Sequence, residues 1–109
     1  MSEKNKPSFY KKVSKQFPEV MSAAAALGTT LRTAGPLDEK TSHLVQLAAA
    51  AAMQSEGSVS SHTHRALEVG ATPEEIHHTV LLLITTIGFP QAMAAMSWAQ
   101  EVMEKKSKK

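Results

Sequence analysis

The sequence predicts a single all-α domain. Residues that start and stop helices recur along its 109 residues, whereas it holds no Asn-Gly or Asp-Gly hairpin turn and no sustained strand-type alternation. Sixteen alanines, in runs such as 23–26 and 48–52, favour helix and contribute little buried area each. A chain of this length forms one domain with a modest core, so it gains stability from close helix packing between subunits.

About six helices are expected, separated by proline, glycine and capping residues. Their expected spans are, in order, Ser8–Gln16, Pro18 to about Thr33, Asp38 (as the N-cap) to about Gln54, a fourth helix ending at Val69 before Gly70, 73–87, and a last helix opened by Phe89-Pro90. Residues 55–58 are either a joint or the first turn of the fourth helix. The domain is expected to fill residues 1–109, with flexible tails at 1–7 and 105–109.

The fifth helix has the clearest start. Thr72 and Glu75 have the spacing of a capping box, and Pro73 stands at the first helical position. The second half of this helix is apolar nearly all round, which is typical of a helix covered on several sides. A second copy of the chain is the simplest cover, so we expect a homo-oligomer; a helix buried within one monomer is the alternative.

Composition and charge exclude several classes of function. The formal net charge is +2, four of the last five residues are lysines, and aromatic residues make up only 5%. We therefore expect no nucleic-acid partner. The longest strongly apolar run, 80–84, is too short to cross a bilayer, and the first twelve residues lack a signal-peptide core. These features predict a cytoplasmic protein without a membrane partner.

The residues with the most chemical potential are histidines and serines. His62 shares a helical face with Val59, Ala66 and Val69, so its imidazole is expected to point inward. Ser58 lies one turn before it and Ser55 two turns before it. An imidazole near hydroxyls is a candidate acid or base, although a hydrogen-bonded core histidine has the same spacing.

Cysteine chemistry, metals and cofactors are not indicated. The 109 residues contain no cysteine, so a disulfide, a thiol nucleophile and an iron–sulfur cluster are excluded. The neighbouring pairs His62 with His64 and His77 with His78 face apart on a helix and cannot chelate one metal ion. We expect no resident metal and no cofactor.

A longer pattern is similar to a known family. The stretch 62–76 reads HTHRALEVGATPEEI, it follows LDEKT at 37–41 and an alanine-rich helix, and GFP comes later at 88–90. This resembles the carboxymuconolactone decarboxylase family, which includes alkylhydroperoxidase D-type proteins, over roughly 18–103. The resemblance implies an alkylhydroperoxidase D-like helical fold that assembles into trimers or hexamers.

The redox branch of that family carries a C-x-x-C-x-x-x-H motif and an upstream glutamate. The resemblance places the motif histidine on His62, the cysteines on Ser55 and Ser58, and the glutamate on His43. Three of the four redox positions are thus changed, and a serine hydroxyl has no disulfide chemistry. Peroxide reduction by the family's thiol mechanism is therefore not expected.

Three functions remain open around the predicted site of His43, Ser55, Ser58 and His62. The first is a small-molecule-binding or structural member of the family, a non-peroxidase without thiol redox. The second is a lactone-decarboxylase type of enzyme with His62 as general acid or base, in which Arg32 or Arg65 pairs a carboxylate. We expect Arg65, on the polar side of its helix, to serve only across a subunit interface. The third is a peroxidase scaffold whose cysteines have been replaced.

Overall fold

All regular structure in the described part of the chain is helical. The computed structural model describes residues 8–107, with side chains from 9 to 106. The helices are, in order, α1 (Ser8–Gln16), α2 (Pro18–Arg32), α3 (Glu39–Ala52), α4 (Glu56–Glu68), α5 (Pro73–Leu81), α6 (Ile84–Ile87) and α7 (Phe89–Ser107). Six of them are longer than one turn, so the predicted all-α class and the approximate number of helices are confirmed.

The core lies where α3, α4, α5 and α7 meet. Its largest fully buried side chains are those of Leu47, Val59, Ile76 and Val80. Most of the remaining core positions are alanines, among them Ala92, Ala95 and Ala99 along α7. Small side chains let helix axes approach closely, and this brings the polar residues of α3 and α4 near one another.

The predicted helix starts are confirmed by their hydrogen bonds. The Asp38 carboxylate caps α3 by accepting from the Thr41 backbone N–H at 2.7 Å. At α5, the Glu75 N–H donates to the Thr72 hydroxyl at 3.1 Å, and the Thr72 N–H donates to the Glu75 carboxylate at 2.9 Å. Gly70 follows α4 with φ 102°, the backbone conformation in which glycine carries no Cβ penalty.

The prediction of one continuous helix from 73 to 87 is wrong. Helix α5 ends at Leu81, and the chain tightens through Leu82 and Leu83 before the single turn of α6. The Leu83 N–H donates to the Val80 carbonyl, an i to i−3 bond, in place of the i−4 bond of an α-helix. The β-branched residues that follow, 84–87, are weaker helix formers than leucine or alanine, which is consistent with the break.

The last helix is longer than expected. Residues 105–109 were expected to form a tail, but α7 continues through Lys105 and Lys106 to Ser107. Two cations in the last turn complement the negative end of the helix dipole. The expected tail at 1–7 and the last two residues, 108–109, lie outside the described residues.

The joint between α3 and α4 is held by one glutamine. Gln54 has a positive φ of 56°, which is uncommon for a residue with a Cβ. Its side-chain amide donates to the Ala51 carbonyl at 2.7 Å and to the Gln91 carbonyl of α7 at 2.9 Å. These bonds offset the backbone strain and hold the start of α4 against α7.

Helices α1 and α2 form a hairpin on the outside of the core. No residue of α2 is buried, and Val20, Leu27 and Leu31 are 57–64% exposed. One side of α2 nevertheless faces α3 and α4 across a cavity. Among the described helices, none is long and apolar enough to cross a lipid bilayer.

Candidate functional site

Helices α3 and α4 bring His43 and His62 together. His43 lies one turn before Leu47 on the inner side of α3, and His62 lies between Val59 and Ala66 on α4. The centroids of the two imidazole rings are 6.0 Å apart, and the ring planes are inclined by 41°. The inward orientation predicted for His62 agrees with this pairing.

Several buried polar atoms of α3 and α4, among them one nitrogen of each ring of the pair, have no hydrogen-bond partner among the described residues. They are His43 Nδ1, Gln46 Oε1, His62 Nδ1 and Thr63 Oγ1, which we call the polar cluster. His43 is only 3% exposed and Thr63 is fully buried. Each buried polar atom left unpaired costs roughly 1–3 kcal/mol, so the cluster is costly as simple packing. A molecule that supplies partners would offset that cost.

A cavity of about 400 Å³ opens beside His43. It lies between α2 on one side and α3 and α4 on the other. Its walls are formed by Tyr10, Met21, Ala24, Ala25, Gly28, Thr29, Arg32, Glu39, His43, Arg65, Glu68 and Val69. This volume falls within the range of small-molecule pockets, about 300–1,000 Å³.

Both imidazoles of the pair are neutral at pH 7. Burial, followed by the positive charges of Arg32 and Arg65, lowers the pKa of His43 from 6.5 to about 4. Burial, followed by Arg65 and by His43 itself, lowers the pKa of His62 to about 4 as well. Each neutral ring therefore offers one N–H donor and one nitrogen acceptor.

The two arginines of the chain both line this cavity. The expectation that Arg65 serves only across a subunit interface is wrong, because it lies beside His43 of its own chain. Arg32 comes from the end of α2, and its guanidinium folds back onto the same helix. A Cβ added at Gly28 would stand 3.2 Å from Arg32 Nη1. Glycine at this position therefore leaves room for the arginine side chain.

The two serines of the predicted site, Ser55 and Ser58, are not part of the cavity wall. Ser58 lies one turn before His62, and Ser55 precedes the first residue of α4. Both side chains are half-buried, and neither lines the cavity beside His43. No hydrogen bond joins either hydroxyl to His62 within the described part of the chain. Their part in the site stays a prediction.

The cavity wall carries charges of both signs, since Arg32 and Arg65 line it together with Glu39 and Glu68. Among the described side chains, no three histidines or carboxylates come together in a way that could hold a metal ion. The guanidiniums of Arg32 and Arg65 act electrostatically on both rings of the histidine pair, and positive charge there opposes a bound cation.

Sequence reasoning missed the wall contributed by the first two helices. Tyr10 and Gly28 belong to elements that make few contacts with the core, and no periodicity in the sequence shows where such a hairpin docks. The interruption of an alanine-rich helix by Gly28 was the available signal, because glycine inside a helix costs about 1 kcal/mol relative to alanine.

Comparison with known proteins identifies the family by its sequence profile and by a solved structure. The sequence profile of the Carboxymuconolactone decarboxylase family matches residues 18–101. An uncharacterized protein of Methanocaldococcus jannaschii is 34% identical over 90 residues, which cover 83% of this chain and 84% of that protein. The apo crystal structure of a carboxymuconolactone decarboxylase family protein from Legionella pneumophila superposes with a TM-score of 0.75. It is 31% identical, and the match covers 90% of this chain and 87% of that one. The chain therefore belongs to the carboxymuconolactone decarboxylase family.

Proposed function

We propose that this protein is a divergent member of its family that binds a small molecule in the cavity beside His43 and His62. The observation that carries the proposal is the pair of imidazoles, 6.0 Å apart, whose Nδ1 atoms lack partners among the described residues. His43 of this pair lines a cavity of about 400 Å³. Buried polar groups in folded proteins are nearly always paired. A ligand in the cavity that hydrogen-bonds His43 supplies a partner for its ring.

Thiol peroxidase chemistry does not fit these residues. The 109 residues hold no cysteine, and serines stand at 55 and 58. A serine hydroxyl is a far weaker acid than a thiol and cannot form a disulfide, so the dithiol cycle has no electron carrier here. Peroxide consumption with dithiothreitol as reductant should match the rate without protein. A protein-dependent rate would favour the peroxidase scaffold instead.

A lactone decarboxylase that uses His62 as general acid or base is the alternative. That reaction requires a donor to protonate the enolate left by loss of carbon dioxide. With a pKa of about 4 for His62, only about one ring in a thousand is protonated at pH 7 in the empty site. The neutral ring is better prepared to accept a proton than to donate one, so we rank binding above decarboxylation.

A ligand screen with histidine variants tests the proposal. Small carboxylic acids, amides and lactones are tested for their effect on the melting temperature of the wild-type protein and of His43→Gln, His62→Gln and His78→Gln. The last variant is the matched control, because His78 is exposed on α5. A ligand of the site should bind the wild-type protein and the control equally, and the other two variants about tenfold more weakly.

Two results of this screen would count against the proposal. Compounds that bind all four proteins with equal affinity do not occupy the histidine pair. The decarboxylase would be favoured if the wild-type protein turned over a carboxylated lactone and His62→Gln abolished this turnover. The rate should then also depend on pH through the titration of a histidine.

We also infer that the working form is a homo-oligomer, as the trimers and hexamers of the family suggest. Three large apolar residues of α2, Val20, Leu27 and Leu31, are more than half exposed in one protomer. They lie on the side of α2 away from the cavity and together form what we call the outer stripe. We infer that a second copy of the chain covers the outer stripe, because burial of exposed apolar side chains is favourable in free energy.

A further inference from the structure

We propose that a second copy of the chain packs, about a two-fold axis, against one end of the helical bundle. The surface consists of Met53, Leu81, Leu82 and Phe89, and we call it the apolar end. It is separate from the outer stripe of α2, so it provides a second contact between copies beside the one inferred above. The contact does not depend on the ligand proposed for the cavity.

The residues of the apolar end come together where two helices end and a third begins. Met53 is the C-cap of α3, and the next residue, Gln54, donates from its side-chain amide to the Gln91 carbonyl of α7 at 2.9 Å. The end of α3 therefore lies near Phe89, the first residue of α7. Leu82 caps the end of α5, and the chain from there to α7 is little more than the single turn of α6.

All four side chains are open to solvent in one protomer. Met53 is 79% exposed, Leu82 62%, Phe89 61% and Leu81 47%. At roughly 200 Å² for a large side chain, the four present on the order of 500 Å² of apolar surface. A standard interface takes about 800 Å² from each partner, and somewhat more than half of that area is apolar. The apolar end is therefore large enough to form the centre of a specific contact.

The sequence places almost no charge at this end. Residues 79–100, from α5 to the middle of α7, contain no aspartate, glutamate, lysine or arginine, and residues 53–57 contain one charged residue, Glu56. The ion pair between Lys40 and Glu75 joins the starts of α3 and α5, at the other end of both helices. The charged and the apolar residues of these helices are thus separated.

A surface without charge fits a second copy better than other partners. A two-fold contact sets a surface against itself, so any charge in it meets a like charge, and a neutral apolar surface avoids that repulsion. A nucleic acid or an anionic membrane requires lysines and arginines, which residues 79–100 lack.

Two different contacts account for a hexamer. A closed ring of three copies needs one kind of contact, and pairing two such rings needs a second kind. With the outer stripe as the first contact and the apolar end as the second, the assembly has six copies. The second copy also covers the joint between α3 and α4, because Met53 stands two residues before the half-buried Ser55.

Lysine at a helix C-cap tests the contact and spares the protomer. Met53→Lys and Leu82→Lys each place a cation at the end of a helix, where it complements the helix dipole, and set like charges against each other across a two-fold contact. Light scattering should give six times 11.7 kDa for the wild-type protein and half that mass for each variant. Thr33→Lys makes the same change at the exposed C-cap of α2 and should keep the wild-type mass.

Single cysteines measure the contact directly, because the chain has no cysteine of its own. Near a two-fold axis a residue faces its own copy, and a disulfide forms when the two Cβ atoms are about 4 Å apart. Mild oxidation should link at least one of Met53→Cys, Leu82→Cys and Phe89→Cys into a covalent pair on a denaturing gel. Thr33→Cys should remain a single chain.

The results that would overturn the contact are distinct from a failure of the other proposals. A wild-type mass of three copies would overturn it, as would lysine variants that keep the wild-type mass or the absence of a covalent pair at all three cysteine positions. A mass lowered by Leu27→Glu but not by the lysine variants would leave the outer stripe as a contact and remove the apolar end. Ligand binding in the histidine screen is decided separately from each of these results.

Discussion

The paired imidazole rings of His43 and His62 make the folded state sensitive to acid. His43 and His62 have a pKa of about 4 in the folded protein and an ordinary value of 6.5. The folded state therefore binds fewer protons than the unfolded state between these values. The free energy of unfolding is therefore highest above about pH 6.5, where both rings are neutral in either state. It decreases as the pH falls toward 4.

Proton uptake on unfolding measures this coupling. At pH 5, unfolding should take up close to one proton for each of the two buried rings. His43→Gln and His62→Gln should each reduce the uptake by about one proton, seen as a shallower fall of melting temperature between pH 6.5 and 4. His78→Gln, at an exposed position, controls for the loss of a histidine. An equal effect of all three substitutions would contradict the assigned burial.

The site was only partly predictable from the spacing of single residues in the sequence. The spacing of Val59, His62 and Ala66 on one helix predicts that the imidazole points inward, because three residues one turn apart share a face. Arg65 was expected on the polar side of its helix, but its place on a cavity wall was not predicted, since a polar side becomes a wall when another helix lies over it. Helical periodicity describes one element and carries no information about its neighbour.

Capping residues determine where the elements begin, and α5 shows this most clearly. Thr72 caps the helix, and Glu75 closes the capping box and also pairs with Lys40 of α3 at 3.0 Å. The cap therefore fixes the start of α5 and its contact with α3 together. Hydrogen bonds to Thr72 and Lys40 hold the pKa of the Glu75 carboxyl below its usual range.

Removing the cap should destabilise the whole domain. We expect Thr72→Ala to lower the free energy of unfolding by about 1 kcal/mol, the usual effect of losing a threonine cap. For a domain of this size that is a fall in melting temperature of about 4–8 °C. Urea unfolding monitored by circular dichroism measures the change, with exposed Thr85→Ala as control. A Thr72→Ala protein as stable as the control would contradict the capping role.

The starts of helices were predicted more accurately than the points at which helices are interrupted. The starts of α3 and α5 depend on residues within one turn, Asp38 with Thr41 and Thr72 with Glu75, so local sequence is sufficient. Leu83 and Ile84, which follow the end of α5 at Leu81, pack against the core, and such tertiary contacts cannot be read from the local sequence. The apolar pattern of 76–87 is the same with or without the break.

The whole molecule leaves a large apolar surface open. Besides the outer stripe of α2, Leu81 is 47% and Leu82 62% exposed. The core itself is built mainly from alanine, so little large apolar surface is buried within one protomer. Association of copies is therefore expected to supply a substantial share of the stability.

Light scattering tests the role of the outer stripe. The wild-type protein should have a mass of three or six times 11.7 kDa in solution. Leu27→Glu should shift the protein toward the monomer, because it places a charge in the proposed contact. Ser22→Glu adds the same charge to α2 away from the stripe and should leave the mass unchanged. A wild-type mass near 11.7 kDa would contradict the oligomer.

The most direct test of the central claim is a nitrogen-15 NMR titration of the histidine rings with and without benzoate, one of the small carboxylic acids of the ligand screen. The account predicts that His43 and His62 stay neutral down to about pH 5 in the free protein and that benzoate shifts their ring signals selectively, leaving exposed His78 unaffected. Rings that protonate near pH 6.5, together with no selective shift by benzoate or by any compound of the wider screen, would contradict a ligand pocket built on the histidine pair.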